Sequence, residues 1–504
     1  MRKMKKKIII IGAGVAGLTA GCHLQRNGYD TRIFELHTLP GGLCTSWKRK
    51  RYTIDGCIHW LMGAQPNNSI YGMWNEIIDM EKLQIHEYDE YMRVEGADGS
   101  QIIVYADVDK LEREFLDKAP EDADVIREFA NVVRKFTAFD PPNDIPPELF
   151  RLTDIVKMLV KSLPYMGDLK KYVKISAKDF AARCRNPLLR KTFELMFLPE
   201  MSVLFQMITM AWFNRRSAGY PIGGSLHFSR LIEKKYLELG GEMRYRSKVA
   251  RIVTEGAAPH ARATGIVLEN GAEHRADIVI SAADGHYTIF DMLGGKFIDK
   301  TIQSYYDDYL TFPSYLQVSL GVADAFEHEP SMVCMLLEKP LVIDDRTNID
   351  NIGYRIMNFD PTLAPKGKSV IMILIPTDNY RYWVDLKENN LKKYTAEKDR
   401  IARDIIRVLG KRFKNIRSKI EVVDVSTPST VIRYTNNWKG SFEGWVMDPR
   451  MGFTQMKKEL PGLTNFYMIG QWVSPGGGLP SALYTGRHVA QIVCARDGRR
   501  FVAK

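Results

Sequence analysis

The feature that most constrains this chain is a glycine turn set between two short β-branched runs near its start. Lys7 to Ile11 reads as a buried parallel strand, and Gly12-Ala13-Gly14-Val15-Ala16-Gly17 follows it directly. Leu18 to Asn27 then has helical spacing with Gly28 as its stop, and Thr31 to Phe34 makes a second strand ending at Glu35. Glycines in this register form the turn of a β-α-β dinucleotide unit. Gly12 permits the tight turn, Gly14 lets backbone approach a pyrophosphate, and Gly17 lets the helix pack closely on the strand, with Ala16 a further contact of the same loop. The helix N-terminus turns free N–H groups and a partial positive charge toward the phosphates. Glu35, eighteen positions after Gly17, stands where a carboxylate accepts both hydroxyls of a ribose.

A chain of 504 residues, 45% hydrophobic and 26% charged, has the apolar content for a large core and is expected to form two domains. The net charge of +11 comes partly from Arg2, Lys3, Lys5, Lys6 and Lys7 and partly from segments around Lys411 to Lys419 and Arg496 to Arg500. Such a surface is either simply solvated or attracts an anionic membrane, and with no aromatic-interleaved motif nucleic acid is not an expected partner. The basic start and Ile8 to Ile11 imitate a secretion signal, but the glycines interrupt the apolar stretch. No run reaches the ~18 apolar residues of a membrane span. Six scattered cysteines form no C-x-x-C pair, so neither a disulfide framework nor a metal site is expected, although Cys57 and His59 lie two apart. The expected setting is the cytoplasm, with peripheral attachment to a membrane as an option.

Pro40-Gly41-Gly42 and Tyr52-Thr53-Ile54-Asp55-Gly56 resemble the extended FAD motif of the amine oxidase, phytoene desaturase and protoporphyrinogen oxidase superfamily. The resemblance implies an α/β, Rossmann-like FAD-binding domain with an inserted α+β substrate domain, the former over 1–65, 220–290 and 425–504, the latter over 66–219 and 291–424. Gly41 and Gly42 would pass close to the diphosphate, and the chain after Gly56 would place His59 and Trp60 near the isoalloxazine ring. For His59 a plain core histidine is an equal reading. A strand near Val249 would meet the adenine with backbone groups. Toward the C-terminus, Phe466 to Gly470 reads as a strand, and Gln471-Trp472-Val473-Ser474-Pro475-Gly476-Gly477-Gly478-Leu479-Pro480 leads into a helix beginning Ser481-Ala482-Leu483. This run is similar to the G-Q-W…P-G-G-G-x-P of the carotenoid isomerase and retinol saturase branch. By that resemblance Gly470, Gln471, Gly478, Leu479 and Pro480 would contact the flavin, with the helix N-terminus at its N1/C2=O edge. Many relatives carry an aspartate where Gln471 stands.

Between these motifs, Ile70 to Leu226 is mostly helical in pattern with a proline-rich break at Pro141 to Pro147. Its Met- and aromatic-rich part, Leu195 to Phe213, suits either a core helix or the lining of an apolar tunnel. With one nucleotide fingerprint and no second glycine loop, electrons would pass between the flavin and a quinone, oxygen, a reduced carrier or NAD(P)H entering from the substrate side. The resemblance to the carotenoid isomerase and retinol saturase branch implies desaturation, saturation or cis–trans isomerisation at a carbon–carbon double bond of an apolar isoprenoid, carotenoid or related lipid. An amine or porphyrinogen oxidase is the alternative on the same fold, and a flavin-free prenyl-lipid escort protein resembling the Rab GDP dissociation inhibitors is the alternative of another class.

Overall fold

The structure, a computed structural model, describes residues 5–504, so Arg2 and Lys3 of the basic run lie outside the described residues. A five-stranded parallel sheet carries the glycine turn. Its strands lie in the order Glu242–Arg244, Asp30–Phe34, Lys7–Ile11, Ile278–Ser281 and Phe466–Met468. The Lys7–Ile11 strand is central because both of its faces are apolar: Ile8 and Ile10 enter the core on one side, Ile9 and Ile11 the core on the other.

The helix Val15–Arg26 covers this sheet at a distance that only glycine allows. A Cβ on Gly17 would stand 2.1 Å from the Gly12 carbonyl oxygen, and one on Gly486 of the helix Gly478–Arg496 would stand 2.6 Å from the Ala16 carbonyl oxygen. A hairpin of Val249–Glu255 and Ala261–Leu268, extended by Glu273–Arg275, lies beside the sheet.

A second, seven-stranded sheet runs Ile420–Ser426, Ser314–Val322, Ser369–Thr377, Asn348–Ile356, Met332–Val342, Glu90–Glu95 and Gln101–Tyr105. Its last two strands depart from the helical expectation for Ile70 to Leu226, as does the short strand Ile85–Glu87. Val94, Ile102 and Val104 are buried with a period of two, and Glu90–Glu95 pairs in parallel with Met332–Val342, far away in sequence. Leu195 to Phe213 is likewise broken: helix Pro187–Leu195 ends, a loop crosses, and helix Val203–Asn214 begins at Ser202, whose side chain accepts from the Leu204 amide.

Candidate functional site

A cavity of 830 Å³ runs from the carboxyl ends of the parallel strands to one face of the seven-stranded sheet. At its nucleotide end, Gly12 adopts φ +97° and donates its amide to the Phe34 carbonyl at 2.8 Å, which turns the chain off the strand. Gly41, at φ +105°, donates to the Ala13 carbonyl at 2.8 Å and would place a Cβ 2.1 Å from the Cys44 carbonyl oxygen. This lays Gly41 and Gly42 beside Gly14. The Leu18 amide donates to the Gly14 carbonyl at 3.0 Å to open the following helix, and the amides of its first turn face an anion site. Glu35 is buried, accepts from the Ala13 amide at 2.6 Å and the His37 amide at 2.8 Å, and keeps further lone pairs for a ligand. Burial pushes its carboxyl up while those amides pull it down.

Gly12, Gly14, Ala16, Glu35, Gly41, Gly42, Val249, Gly470, Gln471, Gly478, Leu479 and Pro480 all line this cavity. Gly17 does not. It lies beneath the turn, against Gly12 and the Ala282 side chain. The C-terminal helix starts at Gly478, three residues before the expected Ser481, and Gly476, Gly477 and Gly478, at φ of +83°, +55° and +75°, make the glycine-only turn that leads into it. Pro480 falls in the first turn, where its missing N–H costs no hydrogen bond. The Gly470 amide is taken by the Thr485 hydroxyl at 2.9 Å, which ties the strand end to this helix.

The other end of the cavity is apolar. Met196, Phe197, Leu198, Met201, Leu204, Phe205 and Trp212 line it, whereas Met207 and Met210 of the same stretch are buried in the core, so both readings of Leu195 to Phe213 apply to different faces. Trp60 stands edge-on to Tyr91, Phe197 and Phe213 at 5.6, 5.9 and 5.6 Å. His59 also lines the cavity, and burial together with the Arg355 charge holds its pKa well below the ordinary value, so it is a neutral imidazole.

Glu443, Asp284 and Arg355 line this cavity and carry no sequence motif. Glu443 sits behind the glycine turn, its carbonyl oxygen 2.3 Å from where a Gly477 Cβ would lie, and its carboxyl has no hydrogen-bond partner among the described residues. Burial alone pushes it up to about 7. Asp284 is also pushed up to about 7 by burial, although the Trp438 and Tyr287 amides donate to it at 2.8 Å each. The only hint of Glu443 in the sequence is an acid flanked by Phe442 and Gly444 in an otherwise apolar stretch.

The donor set fits a dinucleotide: glycines where a side chain would fill the cradle, free amides at a helix N-terminus, and a buried acid with spare lone pairs. The 4,4'-diapophytoene desaturase (4,4'-diapolycopene-forming) of Methylomonas sp is 24% identical over 516 residues, spanning 98% of this chain and 96% of that protein. The chloroplastic prolycopene isomerase of Arabidopsis thaliana is 23% identical over 515 residues, covering 97% of this chain and 83% of that one. Among solved structures, an oxidoreductase from Methanosarcina mazei matches with a TM-score of 0.56 at 17% identity over 96% of this chain and 100% of that chain. Putrescine oxidase bound to putrescine matches with a TM-score of 0.60 at 12% identity over 98% of this chain and 100% of that chain, a likeness of fold. The model of the flavin-containing amine oxidoreductases matches residues 15–494, and the chain belongs to that family.

Proposed function

We propose that the protein is an FAD-dependent oxidoreductase acting on a carbon–carbon double bond of an apolar isoprenoid, carotenoid or related unsaturated lipid, by desaturation, saturation or isomerisation. The observation that carries this reading is a single cavity with a nucleotide cradle at one end and Met-, Leu- and aromatic-lined space at the other. The named desaturase and isomerase relatives support it. When bound, FAD supplies hydride exchange with a substrate carbon.

In this reading Gly12, Gly14, Ala16, Glu35, Gly41, Gly42 and Val249 hold the adenosine and diphosphate. Gly470, Gln471, Gly478, Leu479 and Pro480 lie along the flavin, and Gly17 supports the turn from beneath. The cofactor domain comprises 1–65, 220–290 and 425–504, the substrate domain 66–219 and 291–424. Trp60, Tyr91 and Phe197 exclude water and orient the chain of the substrate, with Phe213 packed behind Trp60. Neutral His59 packs beside them, and Glu443 gives or takes the proton. The electron partner is a quinone, oxygen, a reduced carrier or NAD(P)H, and anaerobic stopped-flow reduction and reoxidation with each distinguishes them.

The protein draws its substrate from an anionic membrane surface. Among the described residues no helix is long and apolar enough to cross a membrane. The helix Leu152–Ser162 nevertheless buries no residue, leaves Leu152 82%, Leu159 51% and Val160 67% exposed, and carries the exposed Lys157 and Lys161. Leu169, just beyond it, lines the cavity. The basic segments read from sequence support the surface less well, since Lys411, Arg412, Lys419 and Arg496 are paired with acids.

Purified protein is expected to be yellow, and lipid extracts of expressing cells should gain or lose conjugated double bonds relative to controls. Colourless protein that FAD cannot reconstitute would sink the assignment.

A further inference from the structure

Arg355 occupies an unusual place in this cavity. On the strand Asn348–Ile356, Tyr354 and Ile356 point into the core on one face of the sheet, so Gly353 and Arg355 point into the cavity on the other. Its neighbours across the sheet are Met332 and Met372, both apolar. The side chains its charge acts on are His59, Tyr88, Tyr91 and Cys334, none of them a carboxylate.

The nearby acids are committed elsewhere. Asp55 accepts from the Cys57 and Ser225 amides and the Ser225 and Tyr220 hydroxyls, and Asp360 from the Gly223 and Thr362 amides and the Thr362 hydroxyl. Lys248, the other Lys or Arg lining the cavity, is paired with Glu269 at 2.6 Å. Tyr88 and Tyr91 donate their hydroxyls to the His59 and Met196 carbonyls, at 3.0 and 2.8 Å, so their oxygens face Arg355 only as neutral acceptors and supply no counter-charge.

A guanidinium in an apolar cavity is costly unless an anion meets it. We propose that Arg355 anchors the carboxylate of an otherwise apolar substrate, so that the lipid taken by this protein is an isoprenoid or polyene acid rather than a hydrocarbon. A single cation balances the single charge of a carboxylate; a diphosphate would leave charge uncompensated in this space. The anchor also fixes register. An apolar tunnel alone lets a chain slide, whereas one fixed end sets which double bond lies at the reacting position.

This inference rests on the reading of an apolar substrate, and the test separates the two. Binding of all-trans-retinoic acid and of the matched alcohol, all-trans-retinol, is measured by fluorescence quenching on FAD-loaded protein, for wild type, Arg355→Met and Arg355→Lys. Wild type should prefer the acid by roughly tenfold to a hundredfold, the worth of one charge-assisted contact. Arg355→Met should lose that preference while still binding the alcohol, and Arg355→Lys should keep part of it. Equal binding of acid and alcohol by wild type, or an unchanged preference in Arg355→Met, overturns the proposal. If Arg355→Met fails to hold FAD, equal binding of acid and alcohol by Arg355→Lys counts against it, since a cation remains. Should neither ligand bind wild type at all, the apolar-substrate reading fails and the anchor falls with it.

Discussion

Glu443→Gln tests the electrostatics of the cavity most directly. Burial moves the Glu443 carboxyl from 4.5 to about 7, and no hydrogen bond offsets it. At ~1.4 kcal/mol per pH unit, that rise corresponds to about 3 kcal/mol. The sign follows from linkage. A carboxyl whose folded pKa is raised has no effect on stability below about pH 4.5, where it is protonated folded or unfolded. It then destabilises the fold increasingly as pH rises to about 7. Glutamine keeps the shape without the titration. For 504 residues at ~2.1 cal/mol/K each, the unfolding entropy is about 1 kcal/mol/K, so the effect is about 3 °C in Tm. Calorimetry in saturating FAD should find the two proteins within a degree at about pH 5, with Glu443→Gln about 3 °C higher at about pH 8. Asp284, which also titrates near neutrality, is common to both proteins and cancels. A Tm difference that does not change with pH refutes the reasoning, because Glu443 would then titrate as an ordinary solvated acid.

Three further outcomes are expected. Glu35→Gln removes the charge that accepts the Ala13 and His37 amides, and FAD retained through gel filtration and titrated by absorbance should bind roughly tenfold to a hundredfold more weakly. Gly477→Ala should be far worse than Gly478→Ala in Tm and flavin content: its Cβ would meet the Glu443 carbonyl oxygen at 2.3 Å, while the nearest atom to a Gly478 Cβ is 3.6 Å away and only the φ of +75° is strained. Leu159→Asp with Leu163→Asp should abolish co-sedimentation with anionic vesicles and leave FAD binding intact. Binding by the wild type should itself weaken as salt shortens the Debye length from ~10 Å at 0.1 M to ~3 Å at 1 M.

The nucleotide end of the cavity was legible in the residues because it is built locally. Gly12, Gly14 and Gly17 must be glycine for backbone reasons that act within a few positions, and Glu35 follows at the distance one helix and one strand consume. The Gly476 to Gly478 turn was legible for the same reason, although its helix begins at Gly478 and not at Ser481. The strands Glu90–Glu95 and Gln101–Tyr105 were not legible. Five- and six-residue runs carry little periodic signal, and the strand that ties them to the sheet, Met332–Val342 beside Glu90–Glu95, lies more than two hundred positions away.

Composition and spacing by themselves determined a dinucleotide cradle and an apolar core, and the resemblance of the motifs at Pro40 to Gly42, Tyr52 to Gly56 and Gly470 to Pro480 pointed to a flavin family. Tertiary structure alone decided what the cradle faces. Glu443 and Arg355 look like any surface acid and base in sequence, and only folding sets them, without an acid–base partner, in one largely apolar cavity. The helix Leu152–Ser162 has an ordinary amphipathic pattern, and only its lack of a packing partner turns that pattern into an exposed apolar surface. The physical reason is common to all three: a backbone turn is dictated by neighbours in the chain, whereas burial, charge pairing and exposure are set by elements distant in sequence.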